Sequence, residues 1–178
     1  MNTPWSFASA GEIIFGTGTL ARLGPLCSDR CWHRALMVSD ANLAAAGVLD
    51  RACEVLKSSS IEVCTFTETE REPTVELAAA AIAAGTSFAP DVVIGLGGGS
   101  NIDLAKVVAA VLACGGEVGD YFGFDRLPRP TLPLVCMPTT GGTGSEVSHS
   151  AVLTDVAAEM KVSMQSRFLR PSVALIDP

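Results

Sequence analysis

The amino-acid sequence predicts an α/β fold: a parallel sheet with helices on both faces. Three observations predict it. Short apolar runs alternate with longer segments of helical spacing through most of the chain, the order produced by repeated strand–helix units. The apolar runs are nearly continuous, as strands buried on both faces require. The 17 glycines and 10 prolines fall between these runs and mark turns.

The elements follow in order. Residues 11–15 (GEIIF) read as a short strand entering the turn Gly16-Thr17-Gly18. Residues 19–27 read as a helix. Residues 33–39 (HRALMVS) are a buried strand that stops at Asp40. Residues 43–58 carry helical spacing, with Leu49, Cys53 and Leu56 on one face. Residues 61–66 (IEVCTF) alternate as a strand. Residues 73–84 form a helix with Pro73 near its start, where proline is tolerated. Residues 91–96 (DVVIGL) are a strongly apolar strand running into Gly97-Gly98-Gly99. Residues 100–114 make the most regular helix, with Ser100 as N-cap and Asp103 at the third helical position, where a carboxylate helps. Residues 119–133 contain Pro128, Pro130 and Pro133 and read as a loop. Residues 134–137 (LVCM) are a strand ending in Pro138-Thr139-Thr140. Residues 152–154 and 161–164 suggest a strand pair. Residues 172–176 (SVALI) are the last strand, before Asp177-Pro178. No internal repeat is visible.

Bulk properties narrow the function. At 178 residues the chain suits one domain, or one domain plus an appendage, with a real core. Hydrophobic residues at 48% against 17% charged exclude a disordered chain. A net charge of -7 argues against nucleic acid or an acidic membrane surface as partner. It leaves room for a phosphate held by backbone N–H groups. The six cysteines form no C-x-x-C pair and sit mainly in or beside apolar runs, as small hydrophobes do. With only His33 and His149 to add nitrogen, no metal site is expected within the chain. The first residues lack the basic and apolar regions of a signal peptide, and no stretch reaches membrane-span length. The cytoplasm is the expected location.

Ligands of open parallel sheets bind outside the carboxyl ends of the strands. Three such ends carry chemistry here: Asp40, the triple glycine, and Thr139-Thr140 with the hydroxyl-rich segment up to Ser148. GLGGGSNID is a strand, then glycines, then a helix start, a geometry that accepts a pyrophosphate. A ligand-free tight turn would need fewer glycines. The simple dinucleotide fingerprint fails, because Ser100 stands where its last glycine belongs. No Walker-type phosphate loop occurs either. Asp40 reads as a ribose ligand or as the N-cap of the next helix, and both remain open. Asp103 similarly has a capping alternative. Lys106, one turn on, reaches either the ligand or solvent, and composition favours solvent. A Ser/His/Asp triad is a poor fit, since no G-x-S-x-G elbow exists.

Taken together, GEIIFGTGTLARLG at 11–24, VSD at 38–40, GLGGGSNIDLAK at 95–106, GFDRLPRPTLPLVCMPTTGGTGSEVS at 123–148 and VALIDP at 173–178 resemble the iron-containing (group III, metal-dependent) alcohol dehydrogenase family, in its N-terminal domain. The resemblance implies a Rossmann-like parallel sheet, the first half of a two-domain dehydroquinate synthase-like fold. It implies that residues 1–178 are an NAD(P)-binding domain and that the family's C-terminal helical metal-binding domain is absent from this chain. By the same resemblance Asp40 contacts the adenosine ribose, favouring NAD over NADP. Gly97, Gly98, Gly99 and Ser100 cradle the pyrophosphate, and Asp103 supports the site near the nicotinamide. Thr139, Thr140, Thr143 and Ser148 line the cofactor's other side, and Lys161 reaches a cofactor ribose. Glu72 departs from the family's asparagine ahead of Pro73-Thr74.

The divalent metal, iron or zinc, is held in the second domain by an Asp and three His, so neither a metal ligand nor a catalytic residue is expected here. The implied reaction moves hydride between an alcohol or hydroxy acid and nicotinamide, with the metal polarising the substrate oxygen. The implied partner is a small-molecule alcohol or carbonyl substrate, with no nucleic acid and no membrane, in a homo-oligomer. The isolated chain should be inactive. Alternatives are the hydroxyacid–oxoacid transhydrogenase branch and a non-catalytic nucleotide-binding remnant or regulatory module. A synthase of the dehydroquinate type is the third, and the hydroxyl-rich loop argues against it. Loss of a second domain would expose an apolar face near residues 152–176.

Overall fold

A computed structural model describes residues 4–178. Met1, Asn2 and Thr3, which belong to the stretch read as lacking a signal peptide, lie outside the described residues. The chain runs β1 (Glu12–Phe15), a 3-10 turn (Thr19–Arg22), α1 (Leu23–Asp29), β2 (Arg34–Val38), α2 (Ala41–Ala45), α3 (Val48–Ser58) and β3 (Glu62–Phe66). It continues with α4 (Val75–Phe88), β4 (Val92–Gly97), α5 (Gly99–Cys114), a 3-10 turn (Val118–Tyr121), β5 (Gly123–Phe124) and β6 (Leu134–Pro138). The last elements are β7 (Ser150–Asp155), β8 (Met160–Gln165), a 3-10 turn (Arg167–Leu169) and β9 (Val173–Ile176).

Six strands form a fully parallel sheet in the order β1-β9-β6-β4-β2-β3. Successive strand residues serve opposite cores, because side chains alternate across a sheet. Leu36, Val38, Val93, Leu134 and Cys136 pack beneath α4 and α5. Ala35, Met37, Ile94, Val135 and Met137 pack beneath α1 and α3. The expected double-sided sheet is therefore the observed one. From β2 the chain crosses to β3 on one side and returns as β4 on the other. The β2/β4 boundary is thus the switch point of the sheet, where the two carboxyl-end loops diverge and leave a crevice.

A second, three-stranded sheet in the order β5-β8-β7 covers α5. Its β7–β8 pair is antiparallel and contains the expected strand pair. Ala151, Leu153 and Met164 join the core around Val108 of α5, so that helix is buried on two sides.

Several sequence-level boundaries are corrected. Residues 43–58 are not one helix. Gly47, at φ 72, takes the left-handed conformation that ends α2 and starts α3. Residues 19–27 divide into a 3-10 turn and α1. Helix α4 runs on to Phe88, and its N-cap is Thr74, whose hydroxyl accepts from the Leu77 N–H at 3.1 Å, so Pro73 lies outside the helix. Ser100 is not the N-cap of α5. Gly98 is, and Asp103 therefore stands beyond the first turn. The loop 119–133 holds the end of a 3-10 turn and β5. The apolar exposure expected over 152–176 is confined to the small sheet and its hairpin, at Phe124, Val152, Val156 and Met160, while Val173, Ala174 and Leu175 are buried. A second exposed set, Trp5, Phe7, Ile13 and Phe15, lies on and before the edge strand β1.

Candidate functional site

The crevice at the switch point is built from two strand ends. After β2 the chain turns at Asp40, whose Oδ1 accepts from the N–H groups of Asn42 at 2.9 Å and Leu43 at 3.1 Å. Asp40 is thus the N-cap of α2. Its Oδ2 faces across the switch point and accepts from Asn101 Nδ2 at 2.7 Å. The capping reading of Asp40 is correct, and it does not compete with a ligand role, because a carboxylate accepts at about four positions.

After β4 the chain passes through Gly97 and Gly98 into α5. Gly97 has φ 142, and a Cβ there would stand 1.9 Å from Asn101 Nδ2, so only glycine fits. The first bond of the helix runs from the Ile102 N–H to the Gly98 carbonyl at 3.1 Å. The N–H groups of Gly99, Ser100 and Asn101 precede it, and no side chain caps them. They point out of a 16-residue helix whose dipole adds partial positive charge at this end. Ser100 uses its hydroxyl on the Arg71 carbonyl at 2.6 Å, which ties the segment before α4 to the glycine loop.

A cleft of about 430 Å³ lies over these ends. It brings together five of the sequence-predicted residues: Asp40, Gly98, Ser100, Thr139 and Thr140. It also brings in Asn42, Leu43, Thr69, Glu70, Arg71 and Asn101, which sequence reasoning missed. Thr69 to Arg71 lie in the polar stretch TETEREPT, whose residues carry no periodic signal. The Thr69 hydroxyl is buried without a partner in the protein. Asp40 and Glu70 give the lining two carboxylates, with Arg71 as the cation among its residues.

The remaining predicted residues lie outside this cleft's lining. Gly97 is buried beneath it. A Cβ on Gly99 would meet Thr143 Cγ2 at 3.1 Å, so the glycine turn and the 139–148 loop touch there. Asp103 and Ser148 belong to a buried cluster around Lys106. That lysine does not face solvent: it is fully buried, and its Nζ donates to Ser148 Oγ at 2.9 Å and the Ser150 carbonyl at 2.7 Å. Asp103 Oδ1 stands 3.9 Å from the ammonium, and Oδ2 accepts from the Val152 N–H at 3.1 Å. Burial pushes the Asp103 carboxyl up from its ordinary value, against the pull of Lys106. Burial likewise lowers Lys106, against the pull of Asp103. Lys161 is exposed and pairs with Glu72 at 3.0 Å.

No three His, Cys, Asp or Glu side chains come together among the described residues. Asp177 accepts instead from the N–H groups of Gly18 at 2.8 Å and Leu20 at 2.9 Å, joining the end of β9 to the first 3-10 turn.

With the geometry in place, known proteins give a consistent comparison. The family model for iron-containing alcohol dehydrogenase matches residues 10–178. The NAD-dependent methanol dehydrogenase of Bacillus methanolicus is 30% identical over 165 residues, 93% of this chain and 43% of its own length. The sulfoacetaldehyde reductase of Bilophila wadsworthia is 31% identical, again over 93% of this chain and 43% of its own length. Among solved structures, a 1,3-propanediol oxidoreductase superposes with a TM-score of 0.94 at 28% identity, covering 99% of this chain and 46% of that one. A sulfoacetaldehyde reductase from Bifidobacterium kashiwanohense in complex with NAD+ superposes with a TM-score of 0.88 at 27% identity, covering 99% of this chain and 47% of that one. The chain thus spans less than half the length of these relatives.

Proposed function

This chain belongs to the iron-containing alcohol dehydrogenase family, and from that membership we propose that it is the NAD-binding part of an enzyme that moves hydride between a small alcohol and its carbonyl form. One observation carries the cofactor assignment. The uncapped N-terminus of α5 and the Asp40 carboxylate open into the same cleft at the sheet's switch point.

The residues present fit a dinucleotide. The N–H groups of Gly99, Ser100 and Asn101 suit a pyrophosphate. Gly98 leaves the approach clear, whereas a Cβ there would stand 3.4 Å from Thr140 Oγ1. Thr139 and Thr140 offer hydroxyls on the opposite wall. Asp40 accepts from a ribose hydroxyl, and its own charge makes a 2′-phosphate unwelcome, which favours NAD over NADP. The unpartnered Thr69 hydroxyl gives the adenosine end a further polar contact. Thr143 and Ser148 extend the hydroxyl wall, Asp103 supports it from below, and Lys161 reaches a ribose by exchanging its contact with Glu72. When bound, the nicotinamide supplies the hydride acceptor. This chain's part is to bind, orient and discriminate.

The described residues do not fit a divalent metal, so the family's iron or zinc would be held by residues outside them. Six unpaired thiols suit a reducing compartment such as the cytoplasm. The apolar edge at β1 suits assembly into a homo-oligomer.

Calorimetric titration with NAD and NADP tests the proposal. NAD should bind more tightly than NADP, and Asp40→Ala or Gly98→Val should weaken NAD at least about tenfold, the loss of one or more contacts to charged groups. Binding that ignores both substitutions would overturn it.

A further inference from the structure

We propose that Asn101 is a positioning residue: it holds the Asp40 carboxylate so that the site accepts an adenosine ribose with a free 2′-hydroxyl over one bearing a 2′-phosphate. The inference rests on reading Asp40 as the ribose acceptor and identifies what gives that carboxylate its selectivity.

Asn101 lies in the first turn of α5 and is only 3% exposed. Both protons of its amide nitrogen are spent. One goes to Asp40 Oδ2 at 2.7 Å and the other to the Leu96 carbonyl at 2.9 Å. Both partners are acceptors, so the amide cannot be turned over without setting oxygen against oxygen. The Leu96 carbonyl belongs to β4, so the contact carries the rigidity of the central sheet across the switch point to Asp40.

Asp40 is therefore held by three donors from two elements. The N–H groups of Asn42 and Leu43 occupy Oδ1, and Asn101 occupies one side of Oδ2. A carboxylate accepts at about four positions, two on each oxygen. One position on Oδ2 remains, on a residue that lines the cleft. A ribose hydroxyl can donate to it. A 2′-phosphate at neutral pH has no matching proton and meets like charge. Without Asn101, only the cap bonds to Oδ1 resist rotation of the carboxylate about Cβ–Cγ, and Oδ2 loses the donor that fills its other position and leaves one direction for a ligand. Replacing Asn101 by Ala leaves the site's net charge unchanged, so any change in preference reports the lost hydrogen bond and not a lost charge.

The test uses ADP-ribose and 2′-phospho-ADP-ribose, which carry the ribose in question and omit the nicotinamide. Calorimetry gives the affinity ratio for the unaltered chain, Asp40→Asn, Asn101→Ala and Asn101→Ser. Partial unfolding lowers both apparent affinities by the same factor, so the ratio survives a weakened fold. If the alanine variant does not fold, the serine variant decides, since its side chain is too short to replace the contact. The unaltered chain should prefer ADP-ribose, and Asp40→Asn should abolish the preference. The Asn101 variants should reduce it about fivefold, the loss of one ordered hydrogen bond. Equal weakening of both probes by the Asn101 variants, with Asp40→Asn still relaxing the preference, would make Asn101 merely structural and overturn the inference. No preference in the unaltered chain, or none that Asp40 controls, would instead overturn the ribose reading beneath it.

Discussion

At the scale of single residues, Asp40 shows how one side chain serves fold and ligand together. Its type and place were legible in the sequence, since an aspartate after a buried strand is either a cap or a strand-end ligand. The sequence could not choose because the structure does not: Oδ1 caps α2, while Oδ2 turns to Asn101 and the cleft. Substitution separates the two roles. Serine is as good an N-cap as aspartate, whereas alanine cannot accept from Asn42 or Leu43. Both variants lose the Oδ2 contact with Asn101, but only serine keeps the cap, so Asp40→Ser should be about 1 kcal/mol more stable in urea unfolding than Asp40→Ala. Both should bind NAD at least about tenfold more weakly. A serine variant that keeps NAD affinity would reduce Asp40 to a cap. Asn101 was not legible, because it fills an unspecified position between Ser100 and Asp103. Its role depends on where the β2 and β4 ends meet, which only the sheet order determines.

At the scale of elements, strand positions were read well, because a buried parallel strand leaves a continuous apolar run. Helix starts were read less well. The N-cap of α5 is Gly98, which offers no side chain to recognise, so Ser100 looked like the cap. The solvent alternative for Lys106, which composition favours, fails for a related reason. A lysine in a surface helix points to water, but the β5-β8-β7 sheet covers α5, and that sheet comes from short segments with weak patterning. The result is a fully buried ammonium whose hydrogen bonds go to Ser148 and Ser150, with the Asp103 carboxylate 3.9 Å away. Removing one partner of a buried pair leaves the other charge uncompensated, whereas removing both can cost little. Lys106→Met should lose about 3 kcal/mol in urea unfolding, and the Asp103→Asn, Lys106→Met double variant should recover part of it. Strictly additive losses would show that the two groups do not act as a pair.

At the scale of the whole molecule, the double-sided core also sets the chemistry of the thiols. The cysteines were read as small hydrophobes, and Cys27, Cys53 and Cys136 are indeed buried, whereas Cys31 is exposed. Burial pushes Cys27 up to about 11, with Asp91 adding and Arg30 opposing. Burial pushes Cys136 up to about 12, with Lys106 opposing. Their ordinary value is 9.0, so the unfolded chain releases these protons at lower pH than the folded one. The sign follows from linkage: where the folded state binds more protons, stability falls as pH rises. The contribution of these thiols is whole below pH 9.0 and is lost as pH rises through about 11 and 12. Lys106, lowered by burial, acts in the opposite sense over its own window below 10.5, so the total slope mixes the two. Cys136→Ala isolates one thiol. Urea unfolding from pH 7 to 10.5 should show the parent losing stability above pH 9 more steeply than this variant, whatever their difference at pH 7. Iodoacetamide at pH 8 adds a second readout on the native protein. Cys31 should be alkylated first, because reaction needs an accessible thiolate, while Cys27 and Cys136 should react only as the chain unfolds. Early labelling of Cys136, or parallel pH slopes for parent and variant, would mean that the core admits solvent where the packing closes it.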